Sequence, residues 1–321
     1  MSIPTIAGSE PGKPGSNVTG ILWMVAATFI AVSTHAMIRH VAENEMHPFQ
    51  VGFFYNVFTM LIIVPMVLGN GAGFLRTRRH GLMFVRAVLH LASMLLFYVG
   101  LTLAPLAAAS ALTFLAPLFA VLLAAIFLRE GFPVRRIIAL IVGFTGMLII
   151  VQPGPSALDT GALYFVGAAS LWGAVLLIIK ILSRTESSAT ITAWMALMMA
   201  PLALLPAIPV WITPSLSDIG WLAAAGFLGA FAQWALTQAL RTGSTNAVMP
   251  IDFLRLVWGA LIGFAIFTEV PDIYTWIGGM VIFGSSTWLA WRERAAAREV
   301  VSAKFERSPF SEVKKLNGGQ P

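Results

Sequence analysis

The sequence predicts an all-α integral membrane protein with ten transmembrane helices, arranged as two inverted five-helix repeats. Three observations carry that prediction. Apolar stretches long enough to cross a bilayer recur from Val18 to Trp291. The Lys and Arg residues between them gather in alternate connections. The first half of the chain, slid 139 positions along, falls on the second without a gap, placing Phe114 on Phe253, Leu115 on Leu254 and Glu130 on Glu269.

Taken in order, each span is set by its hydropathy and by the breaks that bound it. The first runs from Val18 to Arg39, and Glu43 and Glu45 follow in its connection. The second, His47 to Leu68, leads into Arg76, Arg78 and Arg79. The third, Gly81 to Leu103, meets the fourth, Pro105 to Leu128, across a proline with no basic residue between them. Arg129, Arg135 and Arg136 mark the passage to the fifth, Val134 to Val151, after which Gln152 to Thr160 (QPGPSALDT) reads as a linker between halves. The sixth, Gly161 to Ile181, carries Lys180 and Arg184 at its end, and the seventh runs from Ser188 to Val210. The eighth, Asp218 to Leu240, precedes Arg241; the ninth is Asn246 to Phe267 and the tenth Tyr274 to Trp291. These spans are 18 to 24 residues long, enough at about 1.5 Å per residue for a hydrocarbon core of about 30 Å.

Basic residues mark cytoplasmic connections, so the alternation places both termini in the cytoplasm of a cell with an inner membrane. The domains follow as a tail over 1–17, repeats over 18–152 and 160–292, and a charged tail over 293–321. An odd number of spans per repeat makes the second copy enter from the opposite side, and such a duplication places a cavity near the midplane between halves. The joints are short, which predicts that sequential helices pack as antiparallel neighbours. Gly143 and Gly146, Gly226 and Gly229, Gly259 and Gly263, and Gly278 with Gly279 predict close helix crossings.

Composition restricts the class further. Hydrophobic residues form 58% of the chain and charged ones 11%, with a mean hydropathy of +0.84, more apolar surface than a soluble fold can hide. The net charge of +6 reflects topology, not a nucleic-acid partner. With no cysteine, thiolate metal sites and cysteine nucleophiles are excluded, and no phosphate loop or metal cluster predicts a cofactor. A transferase embedded in the membrane would need grouped carboxylates at one face, whereas Asp252 stands apart from other acids.

Ionisable groups inside spans cost about 2.5–3.5 kcal/mol on insertion scales, so those that persist face a cavity or a partner. Arg86 and His90 stand one turn apart on the third span, Asp252 and Arg255 one turn apart on the ninth, and His35 lies near the outer end of the first. Tyr55 and Asn56 on the second span and Gln233 on the eighth are candidates for solute hydrogen bonds. Trp172, Trp234 and Trp258 do not sit at span ends like belt tryptophans, so they too are candidate cavity walls. Packing alone is the competing reading for each: snorkelling for Arg86, mutual neutralisation for Asp252 with Arg255, and interhelical bonds for Asn56 and Gln233.

The stretch RAVLHLASMLLFYVGLTLAPLAAASALTFLAPLFAVLLAAIFLRE from Arg86, with GFTGMLIIV ending at Val151, resembles the drug/metabolite transporter superfamily and its EamA-type ten-helix carriers. NAVMPIDFLRLVWGALIGFAIFTEVPDIYTWIGG, from Asn246 to Gly279, is similar to the branch that holds bacterial riboflavin and S-adenosylmethionine carriers. The resemblance implies that Arg86 is the third-helix arginine, Pro117 the fourth-helix proline, and Glu130 and Glu269 the acidic residues closing helices four and nine, with structural or gating roles. Tyr55 stands where relatives commonly place an arginine, which favours a neutral aromatic solute. The implied activity is alternating-access transport of a small molecule with no cofactor, the leading solute being riboflavin or a similar ring-bearing metabolite taken up from outside. Uptake of S-adenosylmethionine, export of amino acids or other metabolites, and a membrane transferase are the alternatives. Lipid is the surrounding partner, and a homodimer remains open.

Overall fold

The computed structural model describes residues 14–43, 46–68, 77–127, 134–151, 160–186, 188–242 and 248–306. It is helical throughout, because a backbone in hydrocarbon must satisfy its own N–H and C=O groups. The helices are α1 (Pro14–Glu43), α2 (Pro48–Leu68), α3 (His80–Leu103), α4 (Leu106–Leu112), α5 (Ala116–Phe127), α6 (Val134–Val151), α7 (Thr160–Leu182), α8 (Ser188–Ala207), α9 (Leu216–Thr242), α10 (Leu254–Phe267) and α11 (Ile273–Glu306). Helices α4 and α5 are one span, broken by a 3-10 turn over Thr113–Leu115; a second such turn, Met249–Phe253, opens the ninth span ahead of α10. The ten predicted spans are therefore present. Six stretches among the described residues are individually long and apolar enough to cross a membrane, and Pro48–Ile62 and Ile137–Val151 are shorter apolar helices. Helix α11 continues beyond Trp291 to Glu306. The part of the linker over 152–159 lies outside the described residues.

Both of these 3-10 turns accompany a proline, as does a third, Ile208–Val210, after α8. Pro117 has no N–H to donate and its ring crowds the carbonyl four residues back, so the helix tightens over the preceding turn. The nearby carbonyl of Phe114 gains an extra donor from the tenth span, Ser286 Oγ at 2.8 Å.

Sequential helices touch only marginally, contrary to the expectation from short joints that they pack as neighbours. The extensive pairings are α1 with α9, α3 with α7, α6 with α11, α2 with α8, α5 with α7, α2 with α9 and α4 with α10. Every one of these joins the two halves. Short connections force antiparallel directions but not adjacency; the halves interlock. The pairings also obey a two-fold exchange. Swapping each span for its copy turns α1 against α9 into α7 against α3, and α2 against α9 into α8 against α3, while α2 with α8, α6 with α11 and α4 with α10 map onto themselves. Two inverted repeats related by an axis in the membrane plane produce that pattern.

Backbones meet where glycines remove the side chain. A Cβ on Gly146 would lie 2.9 Å from the carbonyl oxygen of Gly278, and one on Gly259 3.0 Å from that of Leu106, so the α6–α11 and α4–α10 crossings need glycine there. Gly278→Ala is expected to destabilise the fold by about 1–3 kcal/mol, the usual cost of overpacking. Gly284, with nothing within 4 Å of its would-be Cβ, is the control. Thermal unfolding in detergent should show a lower midpoint for Gly278→Ala and no change for Gly284→Ala; equal midpoints would contradict the crossing.

Candidate functional site

A cavity of about 420 Å³ lies between the halves. The first half contributes His35 from α1, Tyr55 from α2, His90, Ser93, Met94, Phe97 and Tyr98 from α3, and Thr113, Phe114, Ala116 and Pro117 around the broken fourth span. The second half contributes Phe165, Trp172 and Leu176 from α7, with Asp252 and Arg255 from the start of the ninth span. Its volume falls in the range of small-molecule sites, and breaking the fourth span at Pro117 lets that span bend around it.

Aromatic and imidazole rings supply eight of its eighteen lining residues. His90 packs tilted against Trp172 with ring centroids 4.6 Å apart, His35 lies 4.8 Å from Phe97, Phe97 5.2 Å from Phe165, and Tyr55 meets Tyr98 edge-on at 6.1 Å. Nδ1 of His90 is buried and has no hydrogen-bond partner among the described residues. Arg255 Nε donates to Asp252 Oδ1 at 2.5 Å, and each of these side chains keeps about a quarter of its surface exposed, 24% and 25%. A 3-10 turn followed by α10 produces the pairing: Asp252 sits in the turn and Arg255 one turn on, on the same face.

Of the sequence candidates, His35, Tyr55, His90, Pro117, Trp172, Asp252 and Arg255 line this cavity. Arg86 does not. Its guanidinium leaves α3 toward α8, donating to the Ile191 carbonyl at 3.5 Å and the Met195 sulfur at 3.4 Å, with Nε unpartnered. Sharing a helix face with His90 fixed its height and general direction, but a long side chain chose the neighbouring seam. Asn56 is also spent on packing: Nδ2 donates to Gly52 O at 2.7 Å and meets Met94 Sδ at 3.3 Å, one layer behind the wall. Gln233 and Trp234 are exposed on the outward side of α9, where Trp234 meets Trp23 edge-on at 5.0 Å and Phe231 at 5.4 Å. Trp258 donates to Thr28 at 3.3 Å and packs on Phe29, holding α10 to α1. Glu130 lies outside the described residues.

Sequence reading did not single out Phe97, Tyr98 or Phe165. The signal for the first two was present, since Met94, Phe97 and Tyr98 follow His90 at helical spacing along α3. Phe165 had no such marker.

Glu269 ties the end of α10 to α1 and α4. Thr268 adopts a left-handed φ of 55°, and the Glu269 N–H turns back to Gly263 O at 3.0 Å, which points the carboxylate at the start of α4. There Oε2 accepts from the Leu106 N–H at 3.0 Å, capping α4, and Oε1 accepts from Arg39 Nη1 at 2.5 Å. Arg39 also bonds Glu43 at 2.7 Å and stacks over Phe267 at 4.3 Å. On the same side Gln50 makes two bonds to Ile212, donating at 2.6 Å and accepting at 3.1 Å, so α2 is tied to the chain after α8. The equivalent place on the opposite side carries the Thr77–Glu186 bond at 2.8 Å.

Two segments, residues 18–152 and 159–291, each match the EamA-like transporter family. An S-adenosylmethionine uptake transporter of Rickettsia felis is 29% identical over 87% of this chain and 95% of its own length. A riboflavin transporter of Rhizobium johnstonii is 31% identical over 89% of this chain and 96% of its own length. One solved crystal structure, 19% identical, superposes with a TM-score of 0.52 over 81% of this chain and 95% of that one, a likeness in fold alone.

Proposed function

The chain belongs to the EamA-like transporter family, and on that premise we propose that it takes up riboflavin, or a similarly ring-bearing neutral metabolite, across a bacterial inner membrane. Membership makes it a multi-pass membrane transporter and not an enzyme. The solute rests on one observation about the cavity: eight aromatic or imidazole rings line it, while its Asp252 and Arg255 pair with each other. A neutral, flat solute finds ring faces there and no unbalanced charge. S-adenosylmethionine is the second reading, favoured by the Rickettsia relative; its sulfonium would need a carboxylate free of Arg255.

Transport proceeds by the two interlocked halves rocking about the cavity. Both termini face the cytoplasm on the basic-residue pattern, which puts the Arg39–Glu269–Leu106 closure on the outer face, where it must open to admit solute. Reporter fusions after Arg79, Arg136, Arg184, Arg241 and the C-terminus are expected to report cytoplasm, and external signals at two or more of them would overturn the orientation. Uptake of labelled riboflavin into proteoliposomes, in competition with unlabelled S-adenosylmethionine, tests the solute. Riboflavin accumulation that S-adenosylmethionine does not suppress supports the first reading; accumulation of S-adenosylmethionine alone replaces it with the second.

A further inference from the structure

The bond between Asp252 and Arg255 uses one oxygen of the carboxylate and only the Nε of the guanidinium. Among the described residues, no other group bonds Oδ2 of Asp252 or the Nη atoms of Arg255. The pair therefore presents to the cavity an acceptor beside donors, held together by their own contact and net neutral. A solute carrying a single charge would meet, beside the partner it is drawn to, the opposing charge of the other, which offsets the attraction. A flat heterocycle with an N–H next to a ring carbonyl or ring nitrogen meets no such opposition: its donor meets Oδ2 and its acceptor meets Nη, leaving the ion pair intact.

The rest of the cavity fits a ring carried on such an edge. His90 and Trp172 form a tilted aromatic pair on the wall. We propose that the Asp252–Arg255 pair is the specificity element of this carrier, reading the adjacent donor and acceptor of a flat heterocycle, as in the imide edge of a flavin or the amidine edge of an adenine. It rests on the cavity being the solute site, and it names the chemistry that two differently named groups of relatives share.

The test is binding to the purified full-length chain by calorimetry, with lumiflavin, whose only ring N–H is the imide, as the imide probe and adenosine as the amidine probe. Each is compared with an analogue blocked at the edge: lumiflavin methylated at its imide nitrogen, and adenosine methylated twice on its exocyclic amine. A site built on hydrogen bonds discriminates strongly against a ligand that cannot make them, so the blocked form of the preferred probe is expected to bind at least about tenfold more weakly. The double variant Asp252→Ala with Arg255→Ala should bring the two affinities together. The preferred parent ring tells imide from amidine. Equal binding of parent and blocked ligand by the unmodified chain overturns the edge reading and leaves riboflavin uptake standing. Binding of neither ring overturns the edge reading together with the ring-bearing solute, whereas a double variant that keeps the discrimination overturns the role of these two residues alone.

Discussion

Removing either charge of the Asp252–Arg255 pair alone is expected to lower both the amount of folded protein and the rate of uptake, Asp252→Asn and Arg255→Gln alike. Breaking a fully buried pair costs about 3–5 kcal/mol, because the surviving charge is stranded. Here each side chain is about a quarter exposed to the cavity, which brings the cost below that range. Replacing both at once strands nothing, so the double variant should return to near the parent's protein level. Transport separates the two roles. If the pair serves only to neutralise itself, the double variant regains transport along with protein level. If it also holds the solute, protein returns and uptake per molecule stays at least about tenfold down, a loss of roughly 1.4 kcal/mol of solute binding. Full uptake by the double variant would end the binding role, and with it the edge-reading proposal.

The order and extent of the helices were legible from the sequence; direction around each helix was not. Hydropathy placed all ten spans, and the offset that puts Phe114 on Phe253 anticipated the exchange symmetry of the helix pairings. A span in lipid is apolar on every side, so no periodic stripe marks the face that turns inward. Arg86 and His90 were therefore assigned together, and only His90 reaches the cavity. Gln233 suffered the same ambiguity, since a polar residue on a span suggests a cavity but α9 turns it outward. Asp252 and Arg255 were the exception: their spacing implies mutual contact, and a contacting charged pair in hydrocarbon has few places to go besides a cavity. Helix adjacency failed for a different reason. Loop length limits the distance between consecutive ends, yet the small residues that decide which surfaces mesh, such as Gly146 against Gly278 and Gly259 against Leu106, find their partners in the other half.

That interlocking gives the closure at Glu269 its expected effect. The Arg39–Glu269 bond joins α1 of one half to the end of α10 in the other and is largely shielded from solvent, the two side chains being 10% and 15% exposed. Arg39–Glu43 stays within α1 and survives any motion between halves. In the orientation proposed above, opening the outer face breaks the Glu269 bond and not the Glu43 bond. An interaction made in only one of two states shifts their ratio by its own free energy. Glu269→Gln keeps a carbonyl that can accept from the Leu106 N–H but discards the charge that holds Arg39. A loss of about 2 kcal/mol from the closed state would raise the open fraction roughly thirtyfold. The chain has no cysteine, so a single Ala169→Cys in the cavity wall reports access without further engineering. Treated from outside with a membrane-impermeant thiol reagent, Ala169→Cys should label slowly with Glu269 in place and at least about tenfold faster with Glu269→Gln. Glu43→Gln should leave the rate unchanged. Equal labelling across all three would make Glu269 a cap on α4 and nothing more.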